Sequence, residues 1–404
     1  MRWKRQHMIQ SPWFWLVLFG SAVAFWLLPQ RFRFPFLSAT SFLYLASLEP
    51  VGVPIFMVWT VLFFFVAPEA LRERRYAKLA LIGLVLSILG YLCWEKYLPV
   101  LLAAMSDATP GVAIAAPLGI SYFTFKLIHY AVETARGNIK NRSLPTFFTY
   151  IFLFPIFTAG PIERFDHFTS NLEHKFSGQM TAEALTRIAY GLIKIMLIAK
   201  LVSPDHVGFG IPNSAEALVS SLNDVGALKV WAFLALTYLY AYLDFSAYTD
   251  IAIGASLLFG IRIMENFRFP ILAVNISDFW KRWHMTLAGW CQNYVYLPVL
   301  ARTRTPYLAV YATFIAMGIW HGAAFGWLFW GLYHASGVAL YMTWVRYARR
   351  YEWWRAGVRS RWKYVGIPFT FAFVTGSYAF SSTGGGAFVS IQVFLALFGI
   401  RLGG

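Results

Sequence analysis

Charge is scarce in this chain. Only 13% of its 404 residues are Asp, Glu, Lys or Arg, about half the roughly 25% typical of soluble domains. Acidic groups are the scarcer kind, 18 against 34 basic ones. Cysteine is scarcer still. Cys93 and Cys291 are the two present, too few for a disulfide framework or a thiolate metal site, and no metal site is expected. No glycine-rich loop ending in Lys-Ser or Lys-Thr cradles nucleotide phosphates, which leaves an ATP-driven pump without its engine. Neither a Gly-x-Ser-x-Gly elbow nor a His-Glu-x-x-His pair occurs, so serine and zinc hydrolases lack their signatures. Alternating strands of about ten residues, the mark of an outer-membrane barrel, are missing too.

Apolar length is what the chain has in abundance. Hydrophobic residues make up 59% and aromatics 19%. Apolar runs at 12–28, 52–66, 79–94, 186–203, 227–243 and 364–380 approach or reach the roughly 17–25 residues that cross a bilayer. The expected fold class is therefore all-α, a polytopic transmembrane helical bundle. The first run follows MRWKRQHMIQ without a small-residue cleavage site and reads as a retained span rather than a signal peptide. No shift in composition marks a second domain, so 1–404 reads as a single integral-membrane domain.

The net charge of +16 sits in the connections LRERRYAK (71–78), ARGNIKNR (135–142) and RYARRYEWWRAGVRSRWK (346–363). Basic residues placed between spans contact an anionic leaflet, and no nucleic-acid partner is expected. Two apolar runs, 79–97 and 111–132, separate the first connection from the second. Both then share a face, which the positive-inside rule makes cytoplasmic. Counting back places the N-terminus outside, against the pull of Arg2, Lys4 and Arg5.

Polar groups inside apolar surroundings are the candidates for chemistry. The segment 205–226 is polar and reads as a surface connection. Residues 262–305 are harder to place, with Asn266, Asp278, Arg282 and His284 among many aromatics. Such chain survives at membrane depth only against protein or beside a water-filled cavity, so it is expected to line a cavity. In MGIWHGAAFGWLFWG (317–331), His321 is the sole ionisable group. Gly318, Gly322 and Gly326 recur every fourth residue, as a small-residue stripe on one helix. His321 would lie about 60° around that helix, facing protein. An intramembrane histidine is functional or is interhelical glue.

His284 lies in NISDFWKRWHMTLAGW (275–290). Asp278 and Arg282 have the spacing of a helical ion pair, and Trp283 and Trp290 would share another face. The plainer reading of this segment is an interfacial amphipathic helix. Asp244 and Asp250, in YLDFSAYTDIAIG (242–254), are proton-relay candidates in a transporter. Helix capping or interhelical bonding accounts for them more simply. With the covalent and nucleotide mechanisms excluded, histidine in a protected cavity remains. A neutral imidazole there can act as general base on a hydroxyl, with an activated acyl group as natural partner.

The run YAYLDFSAYTDIAIGASLLFGIRIMENFRFPILAVNISDFWKRWHMTL, then MGIWHGAAFGWLFWGLYH, resembles the membrane-bound O-acyltransferase family. Upstream, LGISYFTFKLIHYAVETARG and FPIFTAGPIERF extend the likeness to about 118–344. Two bacterial branches fit: the D-alanine transfer proteins of teichoic-acid modification, and the alginate-type polysaccharide O-acetylases. The second carries Arg-Asp where this chain has Gln292 and Asn293. The resemblance implies a crater-shaped bundle of roughly 11–13 membrane helices, short or re-entrant ones included, around a membrane-embedded tunnel.

The resemblance also implies an acyltransferase of the cytoplasmic (inner) membrane. It would move a D-alanyl or acetyl group to a hydroxyl of an envelope glycan or polyol phosphate outside. His321 matches the family's essential histidine and His284 its second polar position. No bound cofactor is implied. The co-substrate is an acyl thioester, acetyl-CoA or an acyl carrier protein, arriving from the cytoplasm. A periplasmic or extracellular partner acyltransferase is a further implied partner. The rival from another class is a proton-coupled transporter or lipid flippase using Asp244, Asp250 and the histidines.

Overall fold

The computed structural model describes residues 8–69, 74–105, 116–351, 359–383 and 386–402, and among these it is built from helices with no strand. One isolated bridge joins Leu172 to Ile261. Five of the six apolar runs fall in single helices, Pro12–Leu27, Gly52–Glu69, Arg74–Lys96, Ala227–Leu257 and Arg359–Ser381, whereas 186–203 is divided among Gly178–Ile193, a π-helical stretch Lys194–Ile198 and Ala199–Leu201. Ala77–Lys96 and Ala227–Leu257 are long and apolar enough to cross a membrane, while Pro12–Leu27, Gly52–Ala67 and Ala387–Ala396 are apolar but shorter. Large apolar side chains such as Leu79, Leu86 and Trp94 stay exposed, a surface that suits lipid rather than water. Both cysteines are free. The connection 136–143 is described, whereas 71–73 and 352–358, with Arg2, Lys4 and Arg5, lie outside the described residues.

The chain divides into two compact units. The first comprises Met1–Gly191 and Tyr248–Glu265. Its core is the helix Ile120–Ala135, which buries thirteen of its sixteen residues. Phe123 stacks on Phe56 at 4.5 Å, and Tyr130 meets Phe147 at 4.1 Å. Gly254 lets the helix Gly178–Ile193 come close, since a Cβ there would lie 2.5 Å from the Ala184 carbonyl oxygen.

The second unit comprises Leu192–Ala247 and Asn266–Gly404. Its main pair is Pro306–His321 against Phe325–Ala348. Tyr307 bonds Thr343 at 3.0 Å and Tyr311 bonds Ser336 at 2.9 Å, so the two helices run antiparallel. Gly331 lets them approach, because a Cβ would meet the Phe314 carbonyl oxygen at 2.5 Å. The polar stretch 205–226 is not simply a surface connection. It forms the helices Pro204–Val207 and Ala215–Ser220, and Leu218 and Leu222 anchor it in a core with Val230, Phe233, Ala379 and Val393.

Two expectations fail, and each failure is a broken helix. Gly318, Gly322 and Gly326 do not share one helix. The helix ends at His321, Gly322 is extended at φ −176°, and the next helix starts at Phe325. Gly318 instead admits the Trp327 carbonyl and Gly326 the Phe380 carbonyl, two unrelated close approaches. Nor is 275–290 one amphipathic helix. Ile276–Trp280 and Met285–Cys291 are separate, with His284 between them in the left-handed region at φ +44°. Trp283 and Trp290 therefore share no helical face.

Candidate active site

The break at 281–284 is held by hydrogen bonds from upstream chain. Asn275 caps the short helix by accepting the Asp278 amide at 2.8 Å. Asp278 in turn accepts the Val274 amide at 3.1 Å and, as its spacing predicts, Arg282 Nε at 2.9 Å. Past Trp280, the Arg268 amide donates to Arg282 O and the Met285 amide to Asn266 O, both at 2.9 Å. These bonds satisfy backbone groups that a continuous helix would have paired internally. Trp283 stacks on Phe279 at 5.6 Å, which fills the side of the break.

His284 is buried at 3% exposure. Its Nδ1 lies 3.0 Å from Asn266 Oδ1, which also accepts the Thr286 hydroxyl at 2.8 Å. An amide oxygen only accepts, so Nδ1 carries the proton. Phe245 packs edge-on to the ring at 4.9 Å. The bland alternative of an interfacial anchor does not fit a side chain so enclosed.

His321 ends the helix Pro306–His321 and is half-buried. Its ring stacks on Trp327 at 4.5 Å with 17° between planes. Trp320 and Trp330 meet it edge-on, at 4.7 and 5.2 Å. Trp320 is also 6.5 Å from His284, so one indole borders both candidate histidines. The structure thus gathers into one unit two histidines that sequence places 37 positions apart (321 − 284).

Asp244 and Asp250 lie inside the long helix Ala227–Leu257, so neither caps a terminus. Asp250 makes the interhelical bond instead, to Arg187 Nε at 2.5 Å, and Arg187 also reaches Glu265 at 2.6 Å. Gln292 and Asn293 open a π-helical stretch, Gln292–Tyr296, with Gln292 exposed.

Three groups went unrecognised in the sequence. Asn266 stood in a noted phrase without a role, and Thr286 had none. His334 is buried at 1% among Trp280, Trp330 and Phe279, and its Nδ1 has no hydrogen-bond partner. Its signal was visible, a histidine thirteen positions after His321 in the same motif run. In the other unit, Glu163 of the GPIERF phrase is fully buried. It accepts His167 Nδ1 at 2.6 Å and the Met264 amide at 2.7 Å. Tyr150 donates its hydroxyl to Glu163 O at 2.9 Å, and Lys126 Nζ donates to Tyr150 O at 2.8 Å. That phrase serves as a structural knot.

Residues 113–381 match the MBOAT, membrane-bound O-acyltransferase family. The chain belongs to that family. It is similar to a probable alginate O-acetylase of Pseudomonas aeruginosa, 30% identical over 308 residues, covering 72% of this chain and 56% of the relative. A teichoic acid D-alanyltransferase of Bacillus subtilis is 29% identical over 349 residues, 82% of this chain and 85% of the relative. A peptidoglycan O-acetyltransferase of Helicobacter pylori is 30% identical over 268 residues, 58% of this chain and 49% of the relative. The chain spans 56–66% of the length of the first three alginate O-acetylase relatives. The transporter reading loses its ground, since all three relatives are named for acyl transfer and Asp250 is consumed in an ion pair.

Proposed function

We propose that this chain transfers an acyl group, acetyl or D-alanyl, from a cytoplasmic thioester to a hydroxyl of an envelope polymer outside the inner membrane. In this reading residues 1–404 work as a single acyltransferase domain with the crater and tunnel of its family. The thioester is carried by coenzyme A or a carrier protein, and the acceptor is a glycan or polyol phosphate. A periplasmic or extracellular acyltransferase passes the group on where the polymer lies further out. The observation that carries the reading is His321, a half-buried imidazole at a helix end between Trp320, Trp327 and Trp330.

A thioester does not cross a bilayer, so donor and acceptor meet at one protected point, and positioning both supplies much of the rate. His321 takes the acceptor's hydroxyl proton as the oxygen attacks the acyl carbon. The C–O bond forms, the C–S bond breaks, and the imidazolium returns its proton to the departing thiolate. His284, held in place by its Nδ1–H on Asn266, orients the acceptor.

His321→Gln tests the base directly, because glutamine preserves a hydrogen bond but takes no proton at neutral pH. Incorporation of labelled acetyl or D-alanyl into envelope polymer should fall by at least about 10²–10⁴-fold with the protein still folded. Robust acylation by a folded His321→Gln protein would reject the role. His284→Ala should lower transfer while membrane insertion stays normal. The label that is incorporated also names the acyl group. The basic connections face the cytoplasm in this reading, so Asn141→Cys should resist impermeant thiol reagents in intact cells, and labelling from outside would reverse the orientation.

A further inference from the structure

We propose that Trp327 acts through His321 as a positioning residue whose indole face stabilises the imidazolium formed during transfer. The inference rests on His321 being the base. Its geometric ground is the stack of imidazole on indole, 4.5 Å between centroids and 17° between planes. A parallel stack sets the imidazole over the negative face of the indole quadrupole. A neutral ring gains little beyond packing from that face. A cation gains more, and the gain grows where water is thin. The interaction therefore strengthens at the moment the acceptor's proton arrives, which is what a catalytic contribution requires.

The indole is fixed in place before the reaction. The Trp327 amide donates to Ala324 O at 3.0 Å and its carbonyl rests against Gly318. Its Cδ1 and Nε1 edge runs past Gly322, where an added Cβ would lie 2.7 and 2.9 Å away. Trp330 packs against it edge-on, 5.9 Å away at 72°. The short turn 322–324 thus folds the chain back so that a residue six positions on covers the last residue of the preceding helix. Proton and electrons balance as in the transfer itself. The acceptor's proton moves to the ring, the C–O bond replaces the C–S bond, and the proton leaves with the thiolate.

The test replaces Trp327 alone with mono-, di- and tetrafluorotryptophan in the full-length protein in native membranes. Fluorination drains the ring face and scarcely changes its shape. Turnover should fall stepwise with each added fluorine, reaching roughly 3–30-fold, while KM for the thioester donor stays constant. The same series at Trp231, whose Nε1 bonds Leu397 O at 3.0 Å, should leave turnover unchanged. A flat response at position 327 in a protein whose His321→Gln variant is dead would overturn the role of the indole and leave the base intact. An active His321→Gln variant would overturn both. Trp327→Phe keeps a weaker face and should fall between the tryptophan and tetrafluorotryptophan proteins. Equal losses for Trp327→Phe and Trp327→Leu would reduce the residue to a wedge.

Discussion

Asn266 Oδ1 and His284 Nδ1 lie 3.0 Å apart, and this one contact decides which nitrogen of the ring carries the proton. Asn266 has no exposure to solvent at all, so nothing replaces it when it is removed.

Asn266→Leu should remove the buried acceptor that the His284 N–H and the Thr286 hydroxyl share. An unpaired buried polar group costs about 1–3 kcal/mol, which predicts a lower unfolding temperature and at least about a tenfold loss of transfer. Asn266→Asp keeps an acceptor at the same place and should retain most of both. Thermal unfolding in detergent and labelled-acyl incorporation read the two effects separately. Equal activity of the Leu and Asp variants would remove Asn266 from the site.

Gly322 adopts an extended backbone open to any residue, so Gly322→Ala carries no conformational strain. Its methyl would instead meet the Trp327 indole edge at 2.7 Å and push that ring off His321. Stability should fall by about 1–3 kcal/mol, and transfer should fall several-fold. Gly20→Ala, with nothing within 4 Å of the new atom, serves as the control with normal turnover.

The Arg187–Asp250 pair should behave as a buried unit. Asp250 is 6% exposed while the Arg187 side chain is about a third exposed at 32%. Arg187→Met takes the guanidinium away from a buried carboxylate, a loss of at most about 3 kcal/mol given the partial exposure. The double variant Arg187→Met/Asp250→Asn should recover most of it. Proton-coupled uptake, by contrast, should be absent from the wild type and every variant.

His167 supplies a pH signature outside the membrane spans, in the six-residue helix Phe165–Ser170. Its hydrogen bond to the buried Glu163 carboxylate raises its pKa above the ordinary 6.5, against the opposing pull of burial. A raised folded-state pKa means the stabilisation is complete below about pH 6.5 and is lost as pH rises through the folded value. The stability gap between wild type and His167→Gln should therefore be widest in mild acid and shrink toward alkaline pH. A gap that widens with pH would reverse the assignment.

Long helices were legible because apolar length leaves a chain in lipid few other options. Both candidate histidines were legible too, as ionisable groups where such groups are costly. What stayed hidden was the interruption of helices. WKRWH contains neither glycine nor proline, and the left-handed turn at His284 is imposed by Asn266 and Arg268, eighteen and sixteen residues upstream. Gly322 did carry a stop signal, but its four-residue spacing from Gly318 and Gly326 read as a continuous stripe. Arg187 could not be matched to Asp250 across 63 positions without the fold. His334 is fixed only by the fold, which buries it and leaves its Nδ1 without a hydrogen-bond partner.

The backbone at His284 also narrows what this position can become. At φ +44° a β-branched side chain is strongly disfavoured, while Asn, Asp, Gly and His enter the left-handed region most readily. Of those four, glycine offers Asn266 nothing and aspartate meets its oxygen with another acceptor. Histidine and asparagine are the two that both fit the turn and donate to it. Geometry thus filters the alphabet before chemistry does, and drift at this site runs along a corridor two residues wide.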